Sequence, residues 1–173
     1  MHMKKCWHRR GYLPHFDGTD ISQHIVFRVF DATPAGAHDG DDVLDRHYGT
    51  AFMRDPRCAR IVAQTLLHGD CDRYALQAWC VTPNHVHALI FTHSRIELGQ
   101  IVRSWKTYTT RRMNELPNRS GPVWATDYFD RFIRDEKHFH KTKTYIEMNP
   151  VGAGLCDKPE AWPFSSAGWA RGA

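Results

Sequence analysis

The strongest constraint in this chain is a pair of strand-like runs set almost end to end. YALQAWCV (74–81) and HVHALIFT (85–92) are rich in β-branched and aromatic residues, and only Thr82-Pro83-Asn84 separates them. So short a link, with a proline in it, makes an antiparallel hairpin. The flanks then decide the architecture. Upstream, QHIVFRVF (23–30) has strand composition and DATPAGAHDGDD (31–42) that of a loop. Residues 41–53 and 56–68 follow as helices, the second with Asp55 as cap, Pro56 at its first position, and Ile61 and Leu66 on its apolar face. Downstream, 97–116 is a helix, apolar at Leu98, Ile101, Val102 and Trp105, and PNRSGP (117–122) breaks it. DYFDRFIRD (127–135) alternates as a strand. A last helix runs from Glu136 to Met148, capped by Asp135 and stopped at Asn149-Pro150, because a residue before proline disfavours the helical region.

The order is β-α-β-β-α-β and then a helix. That is an α+β chain of ferredoxin-like, split βαβ type: an antiparallel sheet with helices on one face and an additional C-terminal helix. We expect one domain over 1–173, with a basic irregular arm at 1–20 and a Pro- and Trp-rich strap at 151–173.

A chain of 173 residues buries roughly 70% of its unfolded surface and needs no staples. Its five cysteines are scattered and form no C-x-x-C pair, which argues against a disulfide framework and a cysteine zinc knuckle. Reduced thiols suit the cytosol. No apolar run reaches membrane-spanning length, and the basic MHMKKCWHRR is not followed by a signal-peptide core. A soluble protein without membrane contact is expected. The net charge of +4 and pI near 8.9 permit a polyanionic partner.

Three groups of residues carry chemistry. His85 and His87 stand two apart on a strand and so project to one side, while Val86, Ala88 and Ile90 point to the other. Two imidazoles on a rigid face begin a site for a divalent ion; equally, they are polar residues on the solvent face of a half-exposed strand. Tyr145 and Asn149 share a helix face with Lys141 and His138, opposite Phe139 and Ile146. Arg103, Lys106, Arg111 and Arg112 accompany Trp105 and Tyr108 on one helix, Arg131 and Arg134 flank the last helix, and Lys4, Lys5, Arg9 and Arg10 lie in the arm. Cations interleaved with aromatics are what nucleic-acid backbones and unpaired bases call for.

Taken together, TPNHVHALI, YFDRFIRD, YIEMNPVGAGL and WPFSSAGW, in this order, resemble the REP-associated tyrosine transposases, a branch of the single-tyrosine HUH transposases. RGYLPHFD near the start is similar to one branch of that group. The resemblance spans about residues 9–169. It implies that His85 and His87 are metal ligands, with Asn149 as the third where insertion-sequence relatives often carry Gln. Tyr145 is then the nucleophile, and the last helix carries it. The implied ion is Mg²⁺ or Mn²⁺. The implied reaction is cleavage and transfer of single-stranded DNA at repetitive palindromic hairpins through a covalent 5′-phosphotyrosine. Arg9, Arg10, Arg103, Lys106, Arg111, Arg112, Arg131, Arg134 and Lys141 are candidates for DNA contacts. Trp124, Tyr108 and Phe129 are candidates for base stacking. A monomer or homodimer in the cytoplasm, associated with the nucleoid, is expected. The competing readings are a non-catalytic hairpin-binding module and a rolling-circle-type HUH nicking enzyme.

Overall fold

A computed structural model of the chain describes residues 6–9, 14–17, 20–33, 49–93 and 96–169. Its strands are β1 (Cys6–Arg9), β2 (Pro14–Asp17), β3 (Ser22–Arg28), β4 (Tyr74–Val81), β5 (His85–Thr92) and β6 (Phe129–Phe132). Its helices are α1 (Pro56–His68), α2 (Leu98–Asn114) and α3 (Glu136–Gly152). The helix expected over 41–53 lies outside the described residues up to 48; its last residues form a 3-10 turn, Phe52–Arg54.

Strands β4, β5, β3 and β6 lie side by side in that order, each antiparallel to its neighbour. This is the split βαβ sheet expected from the segment order, with β5 central. Helix α1 begins where Asp55 accepts from the Arg57 amide (2.9 Å) and Pro56 needs no partner for a missing N–H. It buries Cys58, Ala59, Val62, Ala63 and Leu66, and α2 buries Leu98, Ile101, Val102, Trp105, Thr109 and Met113. Both stripes pack on one sheet face, over Ile25, Phe27, Val86, Ala88 and Ile90. Helix α3, the additional C-terminal helix, covers the other face. Ile146 and Phe139 rest there on Ala78, Cys80 and Leu89.

A bulge makes these two faces compatible in β4. Leu76 pairs with Ile90 but Ala78 pairs with Leu89, so Gln77 is the extra residue. One extra residue reverses the alternation. Tyr74 and Leu76 therefore reach the α1/α2 core, whereas Ala78 and Cys80 reach α3.

Three boundaries differ from expectation. The 1–20 arm is not wholly irregular: β1 and β2 pair as a ribbon. It docks on β6 through His15, whose ring nitrogens lie 2.6 Å from Asp130 and 2.9 Å from Asp127, and through Phe16 against Phe132. That docking depends on residues more than a hundred positions away, which local composition does not show. The last helix does not stop at Asn149 but continues through Pro150 to Gly152. It ends where Gly154 takes φ +68°, with Leu155 N–H donating to Pro150 O (2.8 Å) and Gly154 N–H to Val151 O (3.0 Å). That Schellman pattern satisfies the terminal carbonyls and sets the true end. The strand expected over 127–135 is confined to 129–132.

The strap packs along the outer edge of β4. Val81 N–H donates to Phe164 O, Ser166 N–H to Trp79 O, and the Trp162 indole to Val81 O. Ser166 Oγ also reaches Glu147 on α3 (2.9 Å).

One close approach tests the core. A Cβ on Gly69 would stand 2.5 Å from Tyr74 Oη. That hydroxyl is fixed: it donates to Leu66 O (2.6 Å) and accepts from the Trp105 indole (3.0 Å). Gly69→Ala is expected to cost about 1–3 kcal/mol through overpacking, measured as a lower urea midpoint at unchanged slope.

Candidate active site and metal centre

The hairpin turn orients the first imidazole. Thr82 hydroxyl donates to His85 O (2.9 Å), and its oxygen lies 2.8 Å from His85 Nδ1; Asn84 Oδ1 also lies 2.8 Å from that nitrogen. Two acceptors around Nδ1 place the ring proton there and turn the Nε2 lone pair away from the turn. His87, next on that face, brings its Nε2 to 3.0 Å from His85 Nε2. Its Nδ1 meets Nε2 of His24, on the adjacent strand β3, at 3.1 Å.

Both hairpin histidines are 0% exposed, which excludes the solvent-face reading. Burial presses His87 far below an ordinary imidazole, to about 3, so it is neutral and keeps a lone pair for a Lewis acid. Two nitrogens at right angles on one ion, each about 2.1 Å from it, stand about 3.0 Å apart. The Nε2 pair therefore fits two adjacent ligand positions. Among the described residues no three His, Cys, Asp or Glu side chains group to hold an ion.

Helix α3 lies over β4 and β5 and brings Tyr145 to the pair. The Tyr145 ring meets His87 edge-on (centroids 5.7 Å, 90°) and His24 likewise (6.2 Å, 73°). Tyr145 is 38% exposed, so its ring is open to a substrate, while Asn149 one turn on is buried. Lys141, one turn before Tyr145, is exposed. Sequence reasoning missed His24, Thr82 and Asn84. A lone histidine in QHIVFR carries no spacing signal, and Thr-Pro-Asn registers only as a corner.

The cations divide between two layers. Arg131 is the register partner of His24, and Arg134 opens into α3, so both belong to the site's side of the molecule. Arg103, Arg111 and Arg112 are exposed on α2, across the sheet from the histidines; Arg111 lies over Tyr108, and Arg112 pairs with Glu115. Lys106 does not present its charge outward. Its ammonium donates to the carbonyls of Ala125 (3.0 Å), Thr126 (3.2 Å) and Asp127 (2.8 Å), and burial lowers it to about 8. Trp124 is likewise a core residue: its indole donates to Thr109 Oγ1 and its ring packs edge-on against Phe27. The side chains of Arg9 and Arg10 lie outside the described residues. Arg28, not singled out from sequence, is the register partner of His85.

With this geometry in view, comparison with known proteins places the class. The model of the IS200-like transposases matches residues 53–149, more than half of the chain, and the chain belongs to that family. A Haemophilus influenzae protein named among the REP-associated tyrosine transposases is 28% identical over 108 residues, covering 56% of this chain and 61% of that protein. A second, uncharacterized protein of the same organism is 23% identical over 168 residues, covering 68% and 91%. The solved structure of a REP-associated tyrosine transposase bound to a REP hairpin superposes with a TM-score of 0.59 at 19% identity, over 92% of this chain and 81% of that one. The fold is therefore shared with that enzyme. No described helix is long and apolar enough to cross a membrane.

The neutral state of His87 has a consequence for stability. Unfolded, it takes up a proton near pH 6.5; folded, only near 3. The metal-free protein should lose stability as pH falls below about 6.5, by about 2 kcal/mol between pH 7 and pH 5 from this residue. Urea titrations at both pH values should show that difference in the wild type and a smaller one in His87→Gln.

Proposed function

We propose that this protein is a single-stranded DNA endonuclease and strand transferase that acts through a covalent 5′-phosphotyrosine on Tyr145. The observation that carries the reading is the convergence of His85 Nε2 and His87 Nε2 at 3.0 Å beside a half-exposed tyrosine. Family membership supports it, since moving DNA requires breaking and rejoining phosphodiesters.

His85, His87 and Asn149 would hold a divalent ion, Mg²⁺ or Mn²⁺, which supplies Lewis-acid polarisation of the scissile phosphate when bound. The protein's own groups do the rest. Tyr145 Oη gives up its proton and bonds to phosphorus as the P–O3′ bond breaks; O3′ takes a proton and leaves. The 5′-phosphate stays on Tyr145. No water is consumed, so a second 3′-hydroxyl can attack the phosphotyrosine and reverse the step onto another strand. The full burial of His85 and His87 keeps bulk water from their rings.

The substrate reading is a palindromic hairpin with an adjacent single strand; the solved relative is bound to a REP hairpin. The β3/β6 half of the sheet, beside α3 rather than beneath it, is the path for the unpaired strand. There Phe129 is 39% exposed, and the Arg131 guanidinium lies 5.5 Å from its ring centre, a pairing suited to stacking and phosphate contact. Arg134 and Lys141 add positive charge on that side. Arg103, Arg111 and Arg112 serve the hairpin backbone on the α2 layer.

The test uses a single-stranded hairpin oligonucleotide labelled on the 3′ side of the cut, with Mn²⁺. Wild-type protein should carry the label through a denaturing gel, and Tyr145→Phe should form no adduct. Equal cleavage by both would sink the covalent mechanism.

A phenol near pKa 10 is mostly protonated at neutral pH, and the Lys141 charge one turn away favours phenolate. Lys141→Ala should move the rising limb of the cleavage pH–rate profile to higher pH. An unmoved limb removes Lys141 from the mechanism.

A further inference from the structure

We infer that His24 is a positioning residue whose Nε2 accepts the His87 Nδ1 proton and so sets His87 in its ion-binding tautomer. The inference rests on the reading of His85 and His87 as ligands.

The proton count around the three rings carries it. The Thr82 hydroxyl gives its hydrogen to the His85 carbonyl, so toward His85 Nδ1 its oxygen accepts, as does Asn84 Oδ1. His85 therefore holds its proton on Nδ1 and offers a lone pair at Nε2. Only one proton fits between the two Nε2 atoms at 3.0 Å, and without an ion it comes from His87. His87 Nδ1 then accepts from His24 Nε2 across 3.1 Å. An ion between the Nε2 atoms takes both lone pairs. The His87 proton must move to Nδ1, and the same 3.1 Å bond must reverse, with His24 accepting at Nε2 and keeping its own proton on Nδ1.

The partner of His87 must thus be able to donate in one state and accept in the other. A neutral imidazole does both; so does an amide that turns over; an alkyl side chain does neither. The His24 and His87 rings are nearly coplanar (19°), which suits an in-plane bond, and His24 is only 8% exposed, so water does not readily replace it. His24 also meets the Tyr145 ring edge-on, so one side chain touches both the ligand and the nucleophile.

The test is a Mn²⁺ titration without DNA, read from the electron paramagnetic resonance signal of free Mn²⁺. It compares wild type, His24→Leu, His24→Gln and His85→Ala. His24→Leu should bind about 10- to 100-fold more weakly, and His24→Gln should stay close to wild type. Undiminished binding by His24→Leu overturns the inference, as does equal weakening in the Leu and Gln variants. Wild-type binding no stronger than that of His85→Ala overturns the ligand reading beneath it as well. If His24→Leu does not fold, ¹⁵N histidine spectra of the wild type decide. Adding Mg²⁺ should move the His87 proton from Nε2 to Nδ1, and a proton that stays on Nε2 overturns the proposal.

Discussion

Everything at this site depends on a strand buried from both sides. Residues 85–90 of β5 are all 0% exposed: Val86, Ala88 and Ile90 lie under α1 and α2, and His85, His87 and Leu89 face the other side, where α3 packs on Leu89 and brings Tyr145 to His87. An imidazole in such a place is driven neutral and has to find hydrogen-bond partners, because an unpaired buried polar group is costly. The chain meets that demand with a continuous line from His24 through His87 and His85 to Thr82 and Asn84. The same requirement that satisfies the core thereby brings the two Nε2 atoms face to face.

The nucleophile is delivered by different means. Tyr145 sits on a helix that is held at several points. Asp135 caps its start, Ile146 anchors it on β4 and β5, Glu147 ties it to the strap, and the Gly154 turn finishes it. The proline that looked like a stop signal lies inside the last turn. Its fixed φ suits a helix, and its missing N–H removes only one bond. Asn149 is therefore a helical residue with a buried side chain, not a frayed end.

Much of this was legible in the sequence, and the reasons are local. The Thr-Pro-Asn hairpin, the Asp55-Pro56 start and the alternation of β5 are signals within a few residues, and they gave the segment order and the shared direction of His85 and His87. What was not legible depends on distant partners. His24 gains meaning only when β3 lies beside β5. The extra residue at Gln77 is defined by a register, not by composition. The ribbon at the start of the chain needs Asp127 and Asp130. Lys106 looked like a DNA-facing cation because it lies among arginines and aromatics on one helix, yet three carbonyls of the segment before β6 enclose its ammonium.

The strap along β4 bears on how copies of this molecule can meet. An open antiparallel sheet has two edges, and each is a template for another strand. Here the amide and carbonyl groups of Trp79 and Val81 that face outward are already answered by Trp162, Phe164 and Ser166 of the same chain. Over Trp79–Val81 that template is spent, so a second copy of the chain cannot add a strand to this stretch of the sheet.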